Sequence, residues 1–319
     1  MSYPWLVADI GGTNARFGIV TQSGAQPESV AVLNVAERQG LADAVAAYLA
    51  DHAGGVRPGA ACLAIAGPVK GDTYRLTNAG WSGSVRELSI PHVELLNDFE
   101  ALAVSLPHLA GDDLTPLGGP APTAGMVKAV LGPGTGLGVA GLVPAGSGWV
   151  PVPGEGGHVS IPCVTDLEFE IVRALRADGL PYVDAEHLLS GSGLPRLYRG
   201  LSLVRGTGAK RKTASEIVAS EDALSAETVE VFLALLGGFA GNVALTLGAR
   251  GGVYLGGGVL PRIVARVRDS EFRARFEQTS PALIDYLSPI ATSLIVAEQP
   301  ALTGATAWLA QRAGSVELV

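Results

Sequence analysis

The sequence predicts an α/β protein of two domains, and three observations carry that prediction. Strand-like and helix-like runs alternate through residues 1 to 106. A stretch dense in proline and glycine closes the alternation, and a glycine–threonine turn between two apolar runs occurs once on either side of that stretch. At 319 residues the chain also exceeds the size at which one core usually stops growing. Hydrophobic residues make up 48% of it and charged residues 16%, which is ample material for large cores and excludes general disorder. A net charge of −8 argues against a nucleic-acid partner, because binding a phosphate backbone needs clustered lysine and arginine. The one basic cluster, Lys210-Arg211-Lys212, reads as a solvated loop.

Taken in order, the first strand is Trp5 to Ala8, followed by Asp9, the turn Gly11-Gly12-Thr13 and a second strand over Arg16–Val20. Further strands are predicted at Ser29–Val35, Ala61–Ile65 and Val93–Leu96, with helices at Leu41–Leu49 and Phe99–Val104. Pro107, Pro116, Pro120 and Pro122, interleaved with Gly111, Gly118, Gly119 and Gly125, mark a boundary. Beyond it, Val127–Leu131, the turn Gly132-Pro133-Gly134-Thr135-Gly136-Leu137-Gly138 and Val139–Val143 repeat the first hairpin loosely. The remainder is mostly helical: Asp166–Arg176, Leu194–Leu203, Ala214–Ser220, Ala226–Leu247, Leu260–Arg268 and Ala301–Gln311.

The uncharged stretch Val231–Ala249 has the length of a membrane span. Gly237, Gly238, Gly241, Asn242, Thr246 and Gly248 lower its hydrophobicity, so a core helix that lies close to its neighbours is expected, and no membrane partner. Cys62 and Cys163 lie far apart inside apolar sequence, which predicts two buried free thiols in a reducing cytoplasm. No basic segment precedes the first apolar run, so no secretory leader is expected.

The chemistry begins at the two turns. Glycines followed by threonine let backbone N–H groups and a hydroxyl converge on one small anion such as a phosphate. Asp9, at the end of the first strand, could hold a hydrated Mg²⁺ against it, since that ion keeps several waters and takes only one or two carboxylates. Neither turn is a Walker loop, because no Gly-Lys-Ser/Thr follows. Neither is a dinucleotide fingerprint, because each leads into a strand. Asn97 and Asp98 stand where a strand turns into a helix. Asp98 there is either a helix cap or a group projecting into a ligand site beyond the strand end. Glu155 and His158, three residues apart among glycines, make a weak metal site and a better polyol site, because a carboxylate can accept from two neighbouring hydroxyls. Glu186 could add another carboxylate, although a surface helix residue is the simpler reading of it alone.

Six stretches in order resemble the bacterial glucokinases of the hexokinase–actin–Hsp70 superfold over essentially the whole chain. They are Asp9 to Arg16, Leu96-Asn97-Asp98-Phe99, Gly132 to Gly138, Pro153 to His158, Ala185 to Gly191, and Gly251 to Val259. The resemblance implies two RNase H-like domains around a cleft, a small one over residues 1–108 with 299–319 and a large one over 109–298. It implies ATP-dependent phosphorylation of glucose at the 6-hydroxyl, with Mg²⁺ as cofactor, and a homodimer. By the same resemblance Asp98 is the catalytic base, and Asn78, Asn97, Glu155, His158 and Glu186 are glucose ligands beside it, with Thr77 next to Asn78. Asp9, Gly11, Gly12 and Thr13, then Gly134, Thr135 and Gly136, match the phosphate loops, and Gly256, Gly257 and Gly258 the loop near the adenosine. One departure is Ala66-Gly67-Pro68, where better-known members carry Ala-Asn-Pro. The cysteine cluster of the zinc-binding relatives is absent, with only Cys163 in that region. A nucleotide-driven ATPase would have no use for the polar set. A sugar-sensing regulator would add a basic helix-turn-helix, and a kinase for another hexose is a further alternative.

Overall fold

The computed structural model describes residues 1–316; the last three residues of the predicted small domain, 317–319, lie outside the described residues. The chain divides into two compact units, one formed by Met1–Gly111, Pro144–Pro153 and the segment from Ala297 onward, the other by Asp112–Val143 and Gly154–Val296. Pro144–Pro153 thus groups with the first unit, whereas the sequence reading leaves it in the second. Its link is local: the Gln311 carboxamide accepts from the Trp149 amide and donates to the Trp149 carbonyl, both at 2.8 Å.

The first unit is built on a five-stranded sheet of β1 (Trp5–Ile10), β2 (Asn14–Val20), β3 (Glu28–Asn34), β4 (Ala60–Ile65) and, after a small three-stranded sheet of β5 (Val69–Lys70), β6 (Thr73–Arg75) and β7 (Ser82–Ser84), β8 (Val93–Asn97). The order is β3-β2-β1-β4-β8, with β1, β4 and β8 parallel and β1–β2 and β2–β3 antiparallel. Central position explains why β1 reads as an unbroken apolar run, since both of its faces are covered. Its side chains sort by parity. Leu6, Ala8 and Ile10 join the core beneath helix α1 (Leu41–Asp51) with Leu41, Val45 and Tyr48, while Trp5 and Val7 join Cys62, Ala64, Leu96 and Ala101 on the other face. Helix α2 (Asp98–Ser105) follows β8 directly.

The second unit holds most of a sheet in the order β12-β11-β10-β13-β14-β9, made of β9 (Leu114–Gly118), β10 (Lys128–Pro133), β11 (Leu137–Ala145), β12 (Gly148–Gly154), β13 (Val253–Leu255) and β14 (Thr292–Ile295), with the end of β11 and β12 up to Pro153 falling in the Pro144–Pro153 segment that groups with the first unit. Four of these strands were not foreseen: β9 lies inside the predicted boundary stretch, β12 follows the second hairpin where the sequence predicts no strand, and β13 and β14 are three and four residues long. The helices are α3 (Asp166–Ala177), α4 (Ala185–Leu188), α5 (Gly193–Arg205), α6 (Ala214–Ala219), α7 (Ala223–Leu247), α8 (Val264–Asp269), α9 (Phe272–Glu277) and α10 (Ile284–Leu287). Helix α7 is apolar and long enough to cross a membrane, but 78% of its most apolar window is buried inside the protein, which makes it a core helix. Its glycines act as expected, since a side chain at Gly237 or Gly241 would collide with the carbonyl of Phe272 or Phe276 on α9.

Two surface expectations change. Cys62 is buried but Cys163 only partly so, and both are free. Lys212 is no freely solvated member of its basic run: it pairs with Asp222 at 2.5 Å and donates to Ser220 and Ser225. The chain returns to the first unit with α11 (Pro300–Val316), which lies on α2, β1 and β4.

Candidate active site

In the first unit the candidate site residues cluster at the C-terminal ends of three adjacent parallel strands. Ile10 of β1, Ile65 of β4 and Asn97 of β8 are in register. The chain therefore emerges at one edge as Gly11-Gly12-Thr13, Ala66-Gly67 and Asp98, the edge where ligands of open α/β sheets bind. The β1–β2 turn is closed by the Gly11 amide donating to the Asn14 carbonyl at 2.9 Å. A Cβ on Gly12 would stand 2.7 Å from Cβ of Asn78, so only glycine lets the Thr77-Asn78 turn lie against this loop. Asn78 is brought to the site and is exposed there.

The helix cap falls to Asn97 rather than Asp98. Asn97 Oδ1 accepts from the Phe99 amide at 2.8 Å, and the Glu100 carboxylate accepts from the Asn97 amide at 2.8 Å, completing a capping box. The Asn97 side-chain amide donates to the Gly67 carbonyl at 3.3 Å. Relieved of the cap, Asp98 faces the β1 edge. Burial first, and then the charge of Asp9, push its carboxyl up to about 6 against the opposing hydrogen bond from the Phe99 amide. Asp9 is itself raised by burial, opposed by Arg16 across the strand pair at 3.7 Å. The Gly67 departure also has a local basis: a side chain at 67 would collide with the Arg75 carbonyl, and the position contributes its own carbonyl to Asn97 instead.

In the second unit the β10–β11 turn is fixed by the Gly134 amide donating to the Gly136 carbonyl and the Gly191 amide donating to the Gly134 carbonyl, each at 2.8 Å. The Gly256-Gly257-Gly258 loop lies against it. A Cβ on Gly132 would stand 2.6 Å from the Gly256 carbonyl, and one on Gly257, whose φ is +85°, 2.5 Å from the Pro133 carbonyl. Gly134 and Gly258 face open space, where a ligand can approach the backbone. Thr135 sits between these glycines in the same turn.

The Glu155–His158 segment is a short 3-10 turn laid over the start of β11. Its glycines are required there, since side chains at Gly156 and Gly157 would press on Val139 and Leu137. Glu155 and His158 are both exposed. Glu186 is not a free surface residue: its Oε2 accepts from the Leu137 amide at 2.8 Å and fills the space beside Gly136. Sequence reasoning missed Asp184, which is 3% exposed and contacts His158 Nδ1 at 3.1 Å. Its only signal was an acidic residue two positions before Glu186 at the start of a helix. Among the described residues no cluster of three or more His, Cys, Asp or Glu is arranged to hold a metal ion.

The sequence matches the glucokinase family over residues 6–312. A glucokinase from Saccharophagus degradans is 45% identical over 97% of this chain and 99% of its own length. The solved structure of a glucokinase from an Antarctic psychrotroph matches at a TM-score of 0.89 and 35% identity, covering 98% of this chain and 100% of that one. A ROK family glucokinase from Streptomyces griseus, solved in complex with glucose and AMPPNP, shares the fold at a TM-score of 0.63 and 18% identity, covering 97% and 100%. This chain therefore belongs to the glucokinase family, whose actin-like α/β fold of two units it shares.

Proposed function

We propose that this protein transfers the γ-phosphoryl group of ATP to the 6-hydroxyl of D-glucose, with Asp98 as the general base. The observation that carries the assignment is Asp98 itself, freed from capping by Asn97, set at the strand edge beside the β1–β2 turn, and raised to about 6, near the working range of a base at neutral pH. The hydroxyl proton passes to an Asp98 carboxylate oxygen as the hydroxyl oxygen bonds to the γ-phosphorus and the bond from that phosphorus to the bridging oxygen breaks, releasing ADP. Asn78, Asn97, Glu155, His158 and Glu186 are the proposed sugar ligands. Glu186 keeps one oxygen for a hydroxyl while the other holds the Leu137 amide. Gly11, Gly12 and Thr13, with Gly134, Thr135 and Gly136, are proposed to meet the phosphates, and Gly256 to Gly258 the nucleoside side.

The residues fit a magnesium ion carried mainly by phosphate and water, because Asp9 offers the single carboxylate such an ion needs and no all-protein cage is present among the described residues. Bound there, the ion would neutralise charge developing on the transferred group. Asp9 would orient it through its waters, and the turn amides would hold the phosphates. A homodimer in the cytoplasm, feeding glycolysis, completes the reading that family membership supports. A catalytically silent regulator is not favoured, since it would have no use for Asp98.

A coupled assay across hexoses and phosphoryl donors tests the proposal. Glucose with ATP is expected to give the highest kcat/KM, and chelation of Mg²⁺ to remove turnover until the metal is restored. Turnover unchanged by chelator would overturn the role of Asp9, and a preference for another hexose would overturn the substrate.

A further inference from the structure

One buried charge in the second unit has no part in the chemistry above. Asp184 stands at the N-cap of α4 with 3% exposure. Its Oδ2 lies 3.1 Å from His158 Nδ1, while its Oδ1 accepts from the His187 amide at 2.8 Å and lies 2.5 Å from His187 Nδ1. Burial raises its carboxyl, but hydrogen bonds from His158, the His187 amide and the His187 ring outweigh burial and hold it below the usual carboxylate range. Asp184 is therefore an anion at neutral pH, fully engaged and closed to solvent.

Two consequences follow from where its bonds go. An imidazole whose Nδ1 faces a carboxylate has that nitrogen protonated and its ring orientation set, leaving Nε2 for another partner. The cap meanwhile fixes the first turn of α4. The Ala185 amide donates to the Val159 carbonyl at 2.9 Å, and Glu186 is held so that its carboxylate accepts from the Leu137 amide at 2.8 Å. The His158 turn, Glu186 and the β10–β11 turn are thus tied to one carboxylate.

We propose that Asp184 is the positioning residue of the sugar site, a buried carboxylate that fixes His158 with Nε2 turned to the substrate and, by capping α4, holds Glu186 against the phosphate-binding turn. This rests on the reading of His158 as a glucose ligand. The charged groups around His158 are Asp184, Glu186 and Glu155, and hydrogen bonding to Asp184 leads in holding its ring protonated above the ordinary histidine range.

Asp184→Asn keeps the size and the cap but removes the charge. It is expected to raise the glucose KM roughly tenfold, to leave kcat and the ATP KM within about twofold, and to lower the pH at which the His158 ring titrates by NMR. Asp184→Ser, a second capping residue without charge, is expected to do the same. Asp184→Ala removes the cap as well and should raise the ATP KM too, because the Leu137 amide loses its fixed partner. His158→Ala separates the two layers of the argument. A wild-type glucose KM in that variant would sink the ligand reading of His158. A raised KM there with an unchanged one in Asp184→Asn and Asp184→Ser would sink the positioning role alone. Where both rise, the His158→Ala/Asp184→Asn pair must behave as His158→Ala does, and additive losses would overturn the proposal.

Discussion

Asn97 and Asp98 are adjacent, similar in size and equally suited to cap a helix, yet the fold gives them different work. Asn97 satisfies the Phe99 amide and Gly67, and Glu100 closes the box from the other side. Asp98 also accepts from the Phe99 amide at 3.0 Å, but burial and then the nearby Asp9 charge outweigh that bond and favour its protonated form. Asp98→Asn is expected to lower kcat by about 10²–10⁴-fold with glucose binding largely kept, since the amide retains the shape but cannot take a proton. The wild-type kcat/KM should fall as pH drops through about 6, because the base works only when ionised and its carboxyl is raised to that value. Asp98→Asn should lose that limb of the profile. Turnover within twofold of wild type would return Asp98 to a structural part. The sequence alone could not divide these roles, because both residue types are good caps. Nor could it expose Asp184, whose identity as a buried hub depends on His158, a residue brought to it by tertiary structure.

At the level of elements, hydrophobic periodicity located the long helices and the central strands of both hairpins, because each buries a continuous stripe or run of its own. The strands it missed lack that signal. β9 contains Pro116, which is tolerated because β9 is the last strand in its sheet, and β13 and β14 are too short to stand out from their flanks. The glycines of α7 show the same limit, since spacing marks them as close-packing residues without saying which one bears the contact. The structure separates two neighbours. A side chain at Gly237 collides with the Phe272 carbonyl, while at Gly238 the nearest atoms are 3.7 Å away, an ordinary contact. Gly237→Ala should therefore destabilise the protein by roughly 1–3 kcal/mol through overpacking. Gly238→Ala should stabilise it by up to about 1 kcal/mol, because alanine is the better helix former. Denaturant midpoints at unchanged slope measure both, and equal signs for the two variants would refute the close approach of α9.

For the whole molecule, the order of the chain and the order of the fold disagree at the ends. The first unit begins at β1, yet one face of its sheet is covered only when α11 arrives after the whole second unit has been made. Leu302, Ala305 and Leu309 then bury Trp5, Val7, Cys62 and Ala64, the Trp308 indole donates to Glu94 of β8 at 3.2 Å, and Arg312 pairs with Glu94 at 3.6 Å. Gly304 is the point of closest approach, where any side chain would collide with the Ala101 carbonyl of α2. The strand-end site with Asp98 therefore depends on a helix some 200 residues away, as the β8–α11 separation shows. Cys62 offers a native reporter of that dependence, since it lies at 0% exposure under α11 with its thiol pushed up by burial. In a Cys163→Ser background a thiol reagent should label Cys62 only through opening of this face. Leu302→Ala should cost about 2–5 kcal/mol by leaving a cavity and should speed Cys62 labelling under native conditions, while α7 and the rest of the second-unit core keep their hydrogen-exchange protection. If labelling stayed at the wild-type rate while the unfolding midpoint fell, α11 would not be the element that guards this face, and the docked C-terminal helix would be a passenger rather than the closing piece of the first unit.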